Sequence, residues 1–174
     1  MDDESRVVEA FDAAMKKHWD RYPQLREYSF DSGLLSAIGE DAAAQAVSNL
    51  FWKLALGDCT TARRLADHVG RAAEEIVGEV ASGHLIGLIG RHETLLPLWQ
   101  FDKPGSPQPS EGAEAVLEVF RSALGPLFSP ETVVLWAATT QPELGDQEPR
   151  EAIMKVPIDD LRWSAQVTAA KLGP

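Results

Sequence analysis

Two apolar stretches, His84 to Ile89 and Leu95 to Phe101, flank a polar turn around Gly90-Arg91-His92, directly after two short helix signals. The apolar-rich stretches and the turn between them predict a β-hairpin. It ends in Leu95-Leu96-Pro97-Leu98-Trp99-Gln100-Phe101-Asp102. Upstream, Thr60 is placed to cap a helix through His68, Val69-Gly70 supplies a turn, and a second helix runs from about Ala72 to Ser82 and stops at Gly83. Helices that cross closely need a small residue in the first, a glycine in the turn and a β-branched residue in the second, and Ala66, Gly70 and Ile76 occupy those places. The outline is a helix-turn-helix followed by a wing.

The N-terminal third reads as helices. Val8, Phe11, Met15 and Trp19 recur at three- and four-residue intervals until Tyr22-Pro23 stops the run. A second helix is expected from Asp41 to Leu56, with Val47, Leu50, Phe51 and Leu54 inward and Gly57 just past its end. Asp31, Ser32 and Gly39 mark a turn-rich passage between the two. Core packing is the expected role of the aromatic positions.

Pro104, Gly105, Pro107 and Pro109 give Asp102 to Pro109 the composition of a linker. Beyond it, Ser110 caps a helix whose apolar stripe is Ala113, Val116, Leu117, Phe120 and Leu124, with Glu111, Glu114 and Glu118 on the wet side and Gly125-Pro126 at its end. Ser129-Pro130-Glu131 supplies an N-cap, a first-turn proline and a favourable acid for a helix carrying Val133, Val134 and Trp136. Pro142 and Gly145 then make a tight exit that Leu144 plugs, and Pro149 starts a further helix without wasting an amide donor. The last helix, Ile158 to Leu172, sets Leu161, Ala165, Thr168 and Leu172 on one stripe and Trp163 off it.

The order of these signals resembles one bacterial family. Residues 60–102 are similar to the small winged helix-turn-helix found upstream of the Xre/MbcA/ParS-type toxin-binding domain, where an aromatic-rich Gln-Phe-Asp strand leads into a helical module. The resemblance continues at Trp136, then Pro142-Glu143-Leu144-Gly145, then Pro149-Arg150-Glu151-Ala152-Ile153, and spans roughly the last two thirds of the chain. It implies a mainly α fold: a helical bundle with a helix-turn-helix-like core, one small β-hairpin as wing, and a C-terminal helical toxin-binding-like module. The corresponding division is 1–58, an N-terminal helical region; 59–103, a degenerate winged helix-turn-helix; and 110–174, the C-terminal domain.

Charge bears on how that scaffold is used. The net charge is −11, and the segments 1–56, 57–103 and 104–174 carry −4, −2 and −5. A field of one sign throughout repels phosphate. A recognition helix needs Arg, Lys, Asn or Gln toward base edges. This one offers Glu74, Glu75 and Glu79, with Arg71 its lone cation, where related sequences usually carry a basic, Gln-rich helix. Arg63, Arg64, Arg71 and Arg91 are the possible DNA contacts, and nucleic acid is disfavoured as the partner. The family's basic turn after Leu-Gly is replaced by Gly145-Asp146-Gln147-Glu148. An acidic loop there is either solvated or suited to a basic partner surface.

Catalysis has no visible basis. His18, His68, His84 and His92 lack metal-ligand spacing, and no P-loop, dinucleotide fingerprint or Gly-x-Ser-x-Gly elbow occurs. Asp159-Asp160 and Glu74-Glu75 are adjacent pairs that diverge on a helix. Cys59 is the single cysteine, expected to be a small buried filler. The chain is therefore expected to be no enzyme, with neither cofactor nor metal. An acidic start and no apolar run of about 18 residues point to the cytoplasm.

The resemblance implies an antitoxin-like protein that binds a cognate toxin, in this family typically a RES-domain protein that consumes NAD, and covers its active site. Leu144, Arg150 and Trp163 are the expected partner contacts, Trp163 because tryptophan is enriched among residues that dominate interfaces. Two alternatives stay open: a DNA-binding regulator working through residues 60–102, and a non-catalytic adaptor or homo-oligomeric structural protein, with a homodimer possible.

Overall fold

A computed structural model describes residues 2–90, 92–103, 105–106 and 108–173. Arg91 of the expected wing turn, and Pro104 and Pro107 of the expected linker, lie outside the described residues. The fold is mainly α with a small antiparallel sheet. It forms two compact units, Met1–Ser48 and Asn49–Pro174, so regions 59–103 and 110–174 belong to one body.

In the first unit, α1 spans Asp3–Trp19, and the Asp2 carboxylate caps it by accepting from the Ser5 amide at 2.8 Å. Pro23 opens a short 3-10 turn through Glu27, as the Tyr22-Pro23 stop predicts. Next, α2 runs Ser32–Leu56, far longer than expected. Its extra turns begin where the Asp31 side chain accepts from the amides of Gly33 and Leu34 at 2.9 and 3.1 Å, so the signals read as a turn are a helix start. No described residue of 2–48 is buried. Val8, Phe11 and Met15, expected in a core, are exposed, and so are Val47, Leu50, Phe51 and Leu54 of α2. Periodicity identifies a helix and its apolar side, but it does not identify what lies against that side.

The second unit opens with the end of α2, closed by Gly57 at φ +67°. Then follow β1 (Cys59–Thr61), α3 (Ala62–Val69), α4 (Ala73–Ala81), β2 (Leu88–Ile89) and β3 (Thr94–Pro97). The sheet order is β1-β3-β2, all antiparallel, with Thr60 opposite Leu96 and Leu88 opposite Leu95. A helix, a strand, two helices and a hairpin in this order make a winged helix-turn-helix. Thr61, and not Thr60, caps α3 by accepting from the Arg64 amide at 3.1 Å. Gly70 takes φ +71° at the turn, where Cβ sterics disfavour other residues. Ala66 and Ile76 are buried with Leu65, Val80, Leu85, Leu96 and Phe101 in one cluster, as the helix-turn-helix spacing requires.

The strands are shorter than the apolar stretches suggest. Pro97 has no amide to continue the ladder, and the chain turns into a 3-10 segment, Leu98–Gln100. On the other strand, the backbone of Ile86 is satisfied by a side chain. The fully buried Gln100 accepts from Ile86 N at 2.8 Å and donates Nε2 to Ile86 O at 2.7 Å and Pro97 O at 3.1 Å.

The C-terminal bundle comprises α5 (Glu111–Leu124), α6 (Pro130–Ala137), α7 (Pro149–Ala152) and α8 (Ile158–Leu172). Ser110 caps α5, accepting from Ala113 N at 3.2 Å, and the predicted stripe from Ala113 to Leu124 is buried. Helices α5 and α8 pack closely. Gly112 permits this: a Cβ there would come within 2.8 Å of Ile153 O and 3.1 Å of Leu161. Phe120 and Trp136 meet edge to face at 5.7 Å, and the Trp136 indole reaches the buried Ser164 hydroxyl at 3.4 Å. Ser129 precedes α6 as expected, but its hydroxyl donates to the Glu131 carboxylate and does not cap the backbone. Leu56 and Ile86 share the bundle's core, so it is continuous with the winged region.

Candidate functional site

The last carbonyls of α2 have no partners within the helix, and side chains from later in the chain take them. Arg150, placed by the proline start of α7, donates Nη1 to Leu54 O at 2.7 Å and Ala55 O at 3.2 Å. Its Nε pairs with Glu148 Oε2 at 2.6 Å. Trp99 donates its indole N–H to Leu56 O at 3.1 Å. A cation at a helix C-terminus is also favoured by the macrodipole. Around these contacts lies an open groove of about 880 Å³, with Leu50, Leu54 and Leu98 as apolar lining and Lys53, Asp58 and Glu151 as charged rim. Cys59, a half-buried free thiol, has the Lys53 ammonium 4.0 Å from its sulfur.

On the helix-turn-helix, the surface that would meet a duplex is acidic. Glu74 and Glu75 are exposed on α4, and Glu79 is half-buried. Arg71 donates Nε to Glu75 at 3.0 Å and Nη2 to Glu79 at 2.7 Å. The hydrogen bonds to Glu79 and then Glu75 hold its pKa above the ordinary arginine value. The guanidinium is therefore occupied by the helix that follows it. Arg63 and Arg64 project from α3 into solvent.

The helical module contains one of the expected contacts as a surface group and another as a core group. Trp163 of α8 is 59 % exposed. Leu144 is buried, plugging the corner after a 3-10 turn, Pro142–Leu144, so its side chain is committed to the interior. Gly145 and Asp146 both take positive φ, which turns the acidic loop sharply back. Gln141 then holds the loop closed: its backbone bridges Gln147, its Nε2 donates to Thr139 O at 3.0 Å, and its Oε1 accepts from Thr168 on α8 at 3.3 Å.

Reading from sequence placed Trp163 outside and Leu144 at the plug. It missed the capping roles of Arg150 and Trp99 and the clamp formed by Gln100. Those contacts join residues as far as 96 positions apart, and no local pattern announces them. The one available signal was a glutamine set between Trp99 and Phe101 in an apolar run.

Among the described residues, no cluster of three His, Cys, Asp or Glu side chains is arranged to hold a metal ion, and no helix is long and apolar enough to cross a membrane. No family model, curated protein or solved structure matches the chain.

Proposed function

We propose that this chain is an antitoxin-like protein-binding module, which neutralises a cognate toxin of the RES type by covering its active site. The observation that carries the reading is the state of Arg71. Arg71, in the turn before α4, is held by Glu75 and Glu79, so the helix that would read DNA presents carboxylates. A scaffold of this kind serves a polypeptide partner better than a polyanion. Trp163 is the anchor offered to that partner, because a large exposed aromatic desolvates well at low entropic cost. Arg150 lines the groove with Trp99, and Leu144 contributes from the core by holding its corner in place. Inhibition by coverage requires no chemistry from the chain itself, only an interface of ordinary size, roughly 800 Å² per partner.

The deciding experiment mixes the purified chain with a RES-domain toxin from the same genome. A stoichiometric complex and loss of NAD consumption are expected. Undiminished NAD consumption with no complex at micromolar concentrations overturns the reading.

A DNA-binding regulator is the second reading, favoured by the β1-β3-β2 sheet order and the exposed Arg63 and Arg64. Retardation of its own promoter fragment at moderate salt, lost on charge reversal of Arg63 and Arg64, would establish it in place of the first.

A further inference from the structure

The first unit has helices but no core. Its 48 residues bury no described side chain, although α1 sets Val8, Phe11 and Met15 along one side and the start of α2 exposes Leu34, Leu35 and Ile38. Val8 is 62 % exposed and Ile38 52 %. Most helical stability in proteins comes from packing of an apolar face, and a segment of this size seldom folds without an apolar interior. These faces therefore call for cover.

Charge selects the occupant. The first turn of α1 is acidic, with Asp3 and Glu4 after the capping Asp2, and its last turn is basic, with Lys16, Lys17 and His18. Exposed pairs within the helix, Arg6 with Asp3 at 3.1 Å and Lys16 with Asp12 at 2.6 Å, engage one charge at each end and leave Glu4 and Lys17 to set the polarity. Set parallel, two such helices bring like charges together at both ends. Set antiparallel, each acidic end meets a basic end while the Val8-Phe11-Met15 stripe faces its own image. A surface complementary to itself under a two-fold rotation describes an isologous dimer. The dipoles of two antiparallel helices add in the same favourable sense.

We infer that the N-terminal unit is a homodimerisation element, in which α1 pairs antiparallel with α1 of a second copy and the start of α2 extends the contact. Helix α1 is 17 residues long. Only one face of α1 enters the pair, so the contact is smaller than a standard interface and the dimer is a reversible one. The inference is independent of the proposed partner and of the helix-turn-helix, since neither contributes to this surface.

Sedimentation of the full-length chain from about 1 to 100 μM is expected to show a monomer–dimer equilibrium. Phe11→Asp is expected to weaken it at least about 100-fold, and because Phe11 is exposed, the melting of residues 49–174 should not change. Direction is tested in a Cys59→Ser background. Chains carrying Glu4→Cys are mixed with chains carrying Lys17→Cys and oxidised. Cross-linking between the two kinds, with little between two Glu4→Cys chains, is expected. A monomer at 100 μM, a dimer indifferent to Phe11→Asp, or efficient Glu4→Cys self-cross-linking each overturns the inference.

Discussion

The guanidinium of Arg150 donates a 2.7 Å hydrogen bond to the carbonyl of Leu54, joining the start of α7 to the end of α2 across 96 positions. It also reaches the Ala55 carbonyl and the Glu148 carboxylate. Arg150→Ala removes all three at once. A loss of about 1–3 kcal/mol is expected in urea unfolding, because hydrogen bonds to charged groups are the stronger kind. Arg150→Lys should recover only part, since a lysine lacks the planar fork that serves several acceptors together. An unchanged midpoint for the alanine variant would show the contact to be unimportant for stability.

Gln100 bonds both backbone groups of Ile86 and the carbonyl of Pro97 from a fully buried position. Replacing it with leucine preserves bulk but leaves these groups without partners. The expected cost is about 2–4 kcal/mol, more than most single substitutions produce. Thermal melting would register it as one of the largest losses in the second unit.

If Glu74, Glu75 and Glu79 are what deny DNA to the helix-turn-helix, changing them to lysine should create a duplex binder. Retardation of arbitrary DNA is expected at about 50 mM salt and should vanish near 200 mM, the signature of phosphate contacts. The native chain should show none. Arg71→Ala alone should alter stability by less than about 1 kcal/mol, because its pairs are partly exposed.

Trp163→Ala separates binding from folding. With its side chain largely in solvent, the change should shift stability by no more than about 0.5 kcal/mol. Affinity for a toxin partner should fall about 30-fold or more, as for an aromatic anchor, measurable by calorimetry.

The cap of α1 gives a pH dependence with a definite sign. Hydrogen bonds from Ser5, first its backbone amide and then its side chain, hold the Asp2 carboxyl below its ordinary value. A lowered folded-state pKa stabilises the helix start above the unfolded value, and the effect is lost as pH falls through the folded one. The Ser5 amide shift should titrate with a midpoint below that of an unstructured aspartate, and Asp2→Asn should abolish the transition.

Much of the architecture was legible because local chemistry fixes it. The Ser110 cap and apolar stripe defined α5, Pro149 opened α7, and Ala66, Gly70 and Ile76 marked the helix-turn-helix. Helix α2 was misjudged at its start because Asp31 and Ser32 serve equally at turns and at helix beginnings. The inward assignment of Phe51 and Leu54 failed for another reason: an apolar pattern records that a side chain needs cover, whereas the cover itself is a tertiary fact. Arg150 is expected from sequence to be a partner contact, whereas the acceptors it meets, Leu54 O, Ala55 O and Glu148, lie within its own chain. Gln100 stands in sequence only as one letter of an apolar run, while its role depends on Ile86, fourteen residues earlier.

The carbonyl of Gln100 also accepts the Ser110 amide at 2.6 Å, immediately ahead of α5. One residue therefore anchors the hairpin with its side chain and the entry to the bundle with its backbone. Trimming away the winged half to isolate the bundle would strip it of Leu56, Ile86 and this tether. Whatever its surface contacts, the winged half is the foundation on which the helices after it stand.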